Sequence, residues 1–265
     1  MKYINISIII ISAIFALSMD DNSKINNNDI NKEYITNYDT RDLEASVSWD
    51  LFLVDAAGGL GGAGAVANLG GAACPYCVAA GAFIGAAAAS VPYALGLTSD
   101  DSGDIASFTD PVAFNSSNEY DFVGEEHNKI VRRYLQTNNS FDVTSYFEFV
   151  KTEYEQKQQF NKVFDYLTQE QINLIVRDVS NIRNANDALL LIKNNLPDSI
   201  NGDRFVGDLS TALSGRNYGE ILDNIKLLEK LFYQENDSIS EIDKLTIKAF
   251  FSTLRHSSSL WNTSK

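Results

Sequence analysis

The chain has 265 residues, 45% hydrophobic and 21% charged, enough for one large domain or two small ones with a real core. Its 21 Lys and Arg stand against 35 Asp and Glu, a net charge of −14. A surface this acidic repels phosphate backbones and anionic lipid, which excludes nucleic acid as a natural partner. Residues 1–18 read as a secretory signal peptide: Lys2 supplies the positive start, Ile4 to Leu17 the apolar core, and Ala16-Leu17-Ser18 a small-residue cleavage site. The apolar core of about 14 residues is short for a bilayer span. Its removal takes away only Lys2 among the charges and leaves an even more acidic protein, exported to periplasm, cell envelope or medium. Residues 19–50 are polar, with Asn26-Asn27-Asn28-Asp29 at their centre, and read as a spacer.

At Asp50 the character changes. Ala56 to Ser99 is a run of 44 residues without a charge, 25 of them Gly or Ala. Small residues recur at four-residue spacing: Gly58 and Gly62, Ala67 and Gly71, then Gly81, Gly85 and Ala89. On a helix this makes a flat ridge that lets a second helix approach closely. Pro75 divides the run into two pieces of about twenty residues, each roughly 30 Å long if helical. A helical hairpin over residues 51–99, with Cys74-Pro75-Tyr76-Cys77 near its tip, is the expected geometry.

The hairpin's drive into lipid is modest. Leu60, Val66 and Leu69 supply about −1.5 kcal/mol in the first arm, and the bulkier second arm supplies about −3 kcal/mol. Three fates are open: association with membrane lipid or with copies of itself, burial against the helices that follow, or disorder. Residues 100–119 read as a linker, opened by the acidic stretch Ser99 to Asp104.

From residue 120 to 265 the pattern is amphipathic helix. Val123, His127, Ile130, Val131, Tyr134 and Leu135 form one stripe. Asp142 or Thr144 can cap the next helix, whose inward residues are Phe147, Val150 and Tyr154. Thr168-Gln169-Glu170-Gln171 reads as a capping box, and Pro197 stops the helix carrying Leu189 to Leu191. Ile221, Ile225, Leu228 and Phe232 share a face, and a last helix starts near Ser240 and carries Ile242, Leu245, Ala249, Phe250 and Leu254. Nothing after Tyr120 alternates with period two for long enough to form a strand. The expected class is all-α: a Gly/Ala-rich helical hairpin followed by a C-terminal multi-helix domain.

The Gly58 to Gly96 stretch resembles the glycine-zipper segments of bacterial peptide toxins, the class II bacteriocins and colicin V-type microcins. The resemblance implies a membrane activity. It covers about forty residues and rests on composition, and this chain has a Sec-type signal where those toxins have a double-glycine leader. The whole arrangement, with "VGEEHNKIV" at Val123 to Val131 and "FFSTLRHSSSLW" at Phe250 to Trp261, resembles uncharacterised exported bacterial proteins. That implies a location and no activity.

Cys74 and Cys77 are the two cysteines of the chain, and the tetrapeptide they frame is similar to that of glutaredoxins. The thioredoxin-like fold needs a strand before the motif, and the stretch from Gly61 to Ala73 has neither β-branched density nor alternation. In an oxidising compartment a Cys74–Cys77 disulfide pinning the turn is the favoured reading, with inter-chain pairing and an envelope thiol oxidoreductase as alternatives. A zinc site needs two further ligands, and no metal or other cofactor is expected.

Gly124 to Asn128 clusters Glu125, Glu126 and His127 at a helix start, where the carboxylates suit the positive helix end. His127 lies on the apolar stripe and reads first as a buried helix histidine. If folding brings His256 near His127 and Glu125, a polar site arises. No HExxH, G-x-S-x-G, Walker or Rossmann pattern occurs, so catalytic residues are not expected.

Overall fold

A long helical run with no charge from Ala56 onward has no face to give to water, so both of its arms must be wrapped. The computed structural model describes residues 49–68, 74–97, 114–138, 140–154, 157, 163, 167, 169–179, 182–215, 218–236 and 239–261. Nine helices lie among the described residues, with no strand: α1 (Trp49–Asn68), α2 (Pro75–Leu97), α3 (Phe122–Thr137), α4 (Val143–Tyr154), α5 (Gln169–Val179), α6 (Ala185–Asn195), α7 (Gly202–Leu213), α8 (Tyr218–Glu235) and α9 (Glu241–Leu260). The chain is all-α, as its periodicity implies.

α1 and α2 pack against each other as a hairpin, and α9, α6 and α5 close on the remaining faces of α1. α3, α9 and α5 do the same for α2. Every side chain from Leu51 to Ala63 and from Cys77 to Val91 is buried. The sequence boundaries at 99 and 120 therefore do not separate two bodies. Residues 43–265 cluster as one unit, with the hairpin as the core of the multi-helix domain.

The shell helices other than α7, which the sequence reading did not single out, form where the periodicity places them, and their caps are local. Asp142, not Thr144, opens α4, its Oδ1 accepting from the Ser145 backbone N–H at 2.8 Å. Asn184, Asn201 and Ser240 cap α6, α7 and α9 in the same way. α6 stops at Asn195, two residues before Pro197. Thr168 of the expected capping box lies outside the described residues.

The amphipathic stripes turn inward as aromatic clusters. Phe205, Phe232, Phe250 and Phe251 interlock α7, α8 and α9 with ring centroids 5.2–6.0 Å apart. Phe83 of α2 stacks on Tyr154 of α4 at 5.4 Å. Such ring pairs contribute about 0.5–1.5 kcal/mol each beyond their buried area. The first cluster ties three shell helices together, and the Phe83–Tyr154 stack joins the shell to the hairpin.

Candidate functional site

Three features of the core bear on function: the crossing of α1 and α2, a buried polar layer between α1, α3 and α9, and the disulfide at the hairpin's turn.

The crossing is built from glycine on both sides. A Cβ placed on Gly58 would sit 2.4 Å from the Gly85 carbonyl oxygen, and one on Gly62 would sit 2.0 Å from that of Gly81. The reverse contacts, Gly81 to Gly62 and Gly85 to Gly58, are equally tight at 2.5 and 2.3 Å. Backbone lies on backbone, which no larger residue permits. Ala89 continues the ridge against Gly58. Ala67 is partly buried against the core, and Gly71 lies outside the described residues. The small faces of the two arms thus occupy each other.

The polar layer lies on the other side of α1. Asp55, one helical turn before the glycines, is fully buried, and its Oδ2 accepts from Ser257 Oγ at 2.6 Å and from the Trp261 indole N–H. Its Oδ1 lies 3.4 Å from His127 Nε2, close enough for an ion pair, though neither atom forms a hydrogen bond with a described residue. The Asn128 amide fixes the imidazole's protons. Its Nδ2 donates to the His256 carbonyl at 2.7 Å and to Ser259 Oγ at 3.2 Å, so its Oδ1 must face His127 Nδ1, 3.1 Å away, as acceptor. Nδ1 of His127 therefore carries a hydrogen. Tyr146, fully buried on α4, completes the surroundings. Burial, and then the charge of Asp55, hold its phenol well above its usual range.

A second knot adjoins the first. Arg255 of α9, fully buried, donates to Asp121 through Nη2 and to Glu229 of α8 through Nε at 2.9 Å. His256 Nε2 faces Asp121 Oδ2 at 3.2 Å. Burial alone would raise the Asp121 carboxyl, but the His256 hydrogen bond and the Arg255 guanidinium outweigh it and hold it below its ordinary value. Asn115 and Asn118 donate to Glu229 at 2.8 and 2.9 Å. The last residues of the expected linker are thus anchored in the core. Gly124 is where α3 touches α9: a Cβ there would lie 2.4 Å from the Ser252 carbonyl oxygen and 2.7 Å from His256 Cβ.

Of the polar residues singled out in the sequence, His127 and His256 belong to this one layer, bridged by Asn128. Glu125 does not join them. It is half exposed and pairs with Lys129 at 2.6 Å. No cluster of three or more His, Cys, Asp or Glu with metal-ligand geometry occurs among the described residues. Sequence reasoning missed Asp55, Asp121, Glu229 and Arg255. The one local signal was that Asp55 is the last charge before the uncharged run.

At the turn, Cys74 and Cys77 form a disulfide, with Cα atoms 5.2 Å apart. Pro75 takes the first position of α2, where its missing N–H costs nothing. Among the described residues before the motif, the chain is helical, α1 running to Asn68. Comparison with protein families, with curated proteins and with solved structures gives no match.

Proposed function

We propose that this is a non-enzymatic, exported bacterial protein that keeps a glycine-zipper hairpin in reserve: sealed inside a helical shell in water, and handed to a membrane when the shell opens. One observation carries the reading. α1 and α2 each contain an 18-residue stretch apolar and long enough to cross a bilayer, and 78% and 83% of these stretches are buried, between the two arms and under the surrounding helices. Insertion exchanges one apolar surrounding for another from Ala56 onward and along α2, while Asp55, near the start of its stretch, must stay at the interface. The modest intrinsic drive of about 1.5 and 3 kcal/mol in the two arms therefore suits a reversible release. The hairpin is also self-contained. Its four-glycine crossing depends on close packing and not on water, so the two arms can move as one piece. Asp55 is the point at which the shell grips it, through Ser257, Trp261 and His127.

The same crossing favours a second reading, a permanent core for a helical interaction or structural module. It also argues against self-assembly through the zipper, because a second copy would find Gly58, Gly62, Gly81 and Gly85 already covered.

A shell lock tests release. A Cβ on Gly59 would lie 3.4 Å from Cβ of Thr253 in α9, near the separation of about 3.8 Å found across a disulfide. Gly59→Cys/Thr253→Cys, made in a Cys74→Ser/Cys77→Ser background, ties α1 to the shell when oxidised. With phosphatidylcholine/phosphatidylethanolamine vesicles, the reduced form should co-sediment and release trapped dye, and the oxidised form should do neither. Equal inertness of both forms, with the shell loosened by mild urea, would leave the permanent-core reading in place.

A further inference from the structure

We propose that the Cys74–Cys77 disulfide is exchange-active, taking electrons from an exposed dithiol on a partner protein or peptide, with Cys74 as the attacked sulfur. The inference does not rest on hairpin release. It rests on how the two cysteines differ. Cys74 immediately precedes α2 and is only partly buried, flanked by exposed Pro75 and Tyr76. Cys77, in the first turn, is 1% exposed. Of the two residues, Cys74 is the one that offers surface to an incoming thiolate.

The electrostatics favour the sulfur that is reached. The Cys74 carbonyl accepts from the backbone N–H groups of Cys77 and Val78, at 2.9 and 3.3 Å, so the residue stands at the positive end of a 23-residue helix. That helix has no acidic residue in its first turn and no charge along its length. The carboxylates in the groove beside Pro75, Glu119 and Glu241, are each paired with a lysine, Lys248 and Lys244, at 2.9 Å. Nothing in this groove opposes a negative sulfur at Cys74, and a helix N-terminus lowers a thiol's pKa.

The exchange balances in two steps. A thiolate of the partner dithiol attacks Cys74 Sγ, the Cys74–Cys77 bond breaks, and its electron pair leaves on Cys77 Sγ, which takes up a proton. The partner's second thiolate then attacks its own sulfur in the mixed disulfide and expels Cys74 as a thiolate held at the helix end. Two electrons pass to the protein, and the partner becomes a disulfide. No thioredoxin fold is required, because the helix end and the difference in burial are both present in this all-α frame.

The test uses the full exported chain and thiol trapping. In reduced/oxidised glutathione mixtures the pair should be substantially reduced at a poise near about −200 mV, where structural disulfides stay closed. Once reduced, Cys74 should react with iodoacetamide at about pH 6 at least tenfold faster than Cys77 or glutathione, as a thiolate at a helix N-terminus does. Cys77→Ser should attack oxidised glutathione and retain one glutathione as a stable mixed disulfide, releasing the other as the thiolate, whereas Cys74→Ser should not. A pair that stays oxidised throughout the glutathione series, or a Cys74 no more reactive than glutathione, would make the disulfide a simple pin of the turn. Because the wild-type titration and alkylation need no substitution, they decide the matter even if a variant misfolds.

Discussion

The two sides of α1 are held by opposite chemistry. Toward α2, Gly58 and Gly62 meet Gly81 and Gly85 with no side chain between them, and the contact is backbone dispersion at minimal distance. Toward α9 and α3, Asp55 meets Ser257, Trp261 and His127, with the Asp121–Arg255–Glu229 knot alongside, and the contact is charge and hydrogen bond in a dry interior. The first side tolerates any apolar surrounding, water-free or lipid. The second holds only while all its partners are present, because each buried charge left alone is costly. A core joined by both is closed on one face and conditional on the other.

The largest effect should come from the conditional face. Arg255→Met keeps length and apolar bulk but leaves Asp121 and Glu229 buried without their shared cation. We expect a loss of about 3–5 kcal/mol, the usual result of removing one partner from a buried ion pair. Urea unfolding followed by circular dichroism measures it. A loss below about 1 kcal/mol, the range of exposed pairs, would mean that water reaches the knot.

The two faces also differ in how far the sequence reveals them. The glycine crossing is written in spacing: residues four apart, twice, on either side of a proline. A helical period converts that directly into a ridge. The polar layer has no such period. Asp55 and Ser257 are 202 positions apart, and Asp121 and Arg255 are 134. His127 looks like one more member of an apolar stripe, and Ser257 to Ser259 look like a polar, solvated end of α9 until α3 and α1 cover them. Asn115 and Asn118 read as linker because nothing local announces that their amides reach Glu229. The helical frame follows from periodicity, but the choice of which polar residues are buried together is made by tertiary packing.

Acid should act on the conditional face and spare the other. The folded-state value of Asp121 is depressed, so its contribution to stability is complete above its unfolded value of about 3.9 and is lost as pH falls through the lower folded value. Glu126 adds to the same trend. Burial would raise it, but hydrogen bonds from Lys157 and Tyr154 outweigh that and lower it. Stability should therefore decline below about pH 5, and the decline should be smaller in Arg255→Met, where loss of the guanidinium lets burial bring the folded value of Asp121 back toward its unfolded one. Unfolding midpoints measured in urea at successive pH values check this. Identical pH profiles for the two proteins would show that Arg255 does not set the acid response.

The smallest prediction isolates close approach from helix propensity. Gly62→Ala adds one methyl group at a point where backbone oxygen already lies 2.0 Å from the new atom, so α1 and α2 must separate. Overpacking of this kind costs about 1–3 kcal/mol. Gly207, on the exposed side of α7, has nothing within 4 Å of an added Cβ. There the same substitution removes backbone freedom from the unfolded chain and should stabilise the fold by about 0.5–1 kcal/mol. The two changes are chemically identical and both occur in helices, so propensity predicts gains of the same sign. Opposite signs in paired urea titrations would assign the difference to the crossing alone. A stabilised Gly62→Ala would show that the arms already stand apart, and the hairpin would then lose the self-contained packing on which its release as one piece depends.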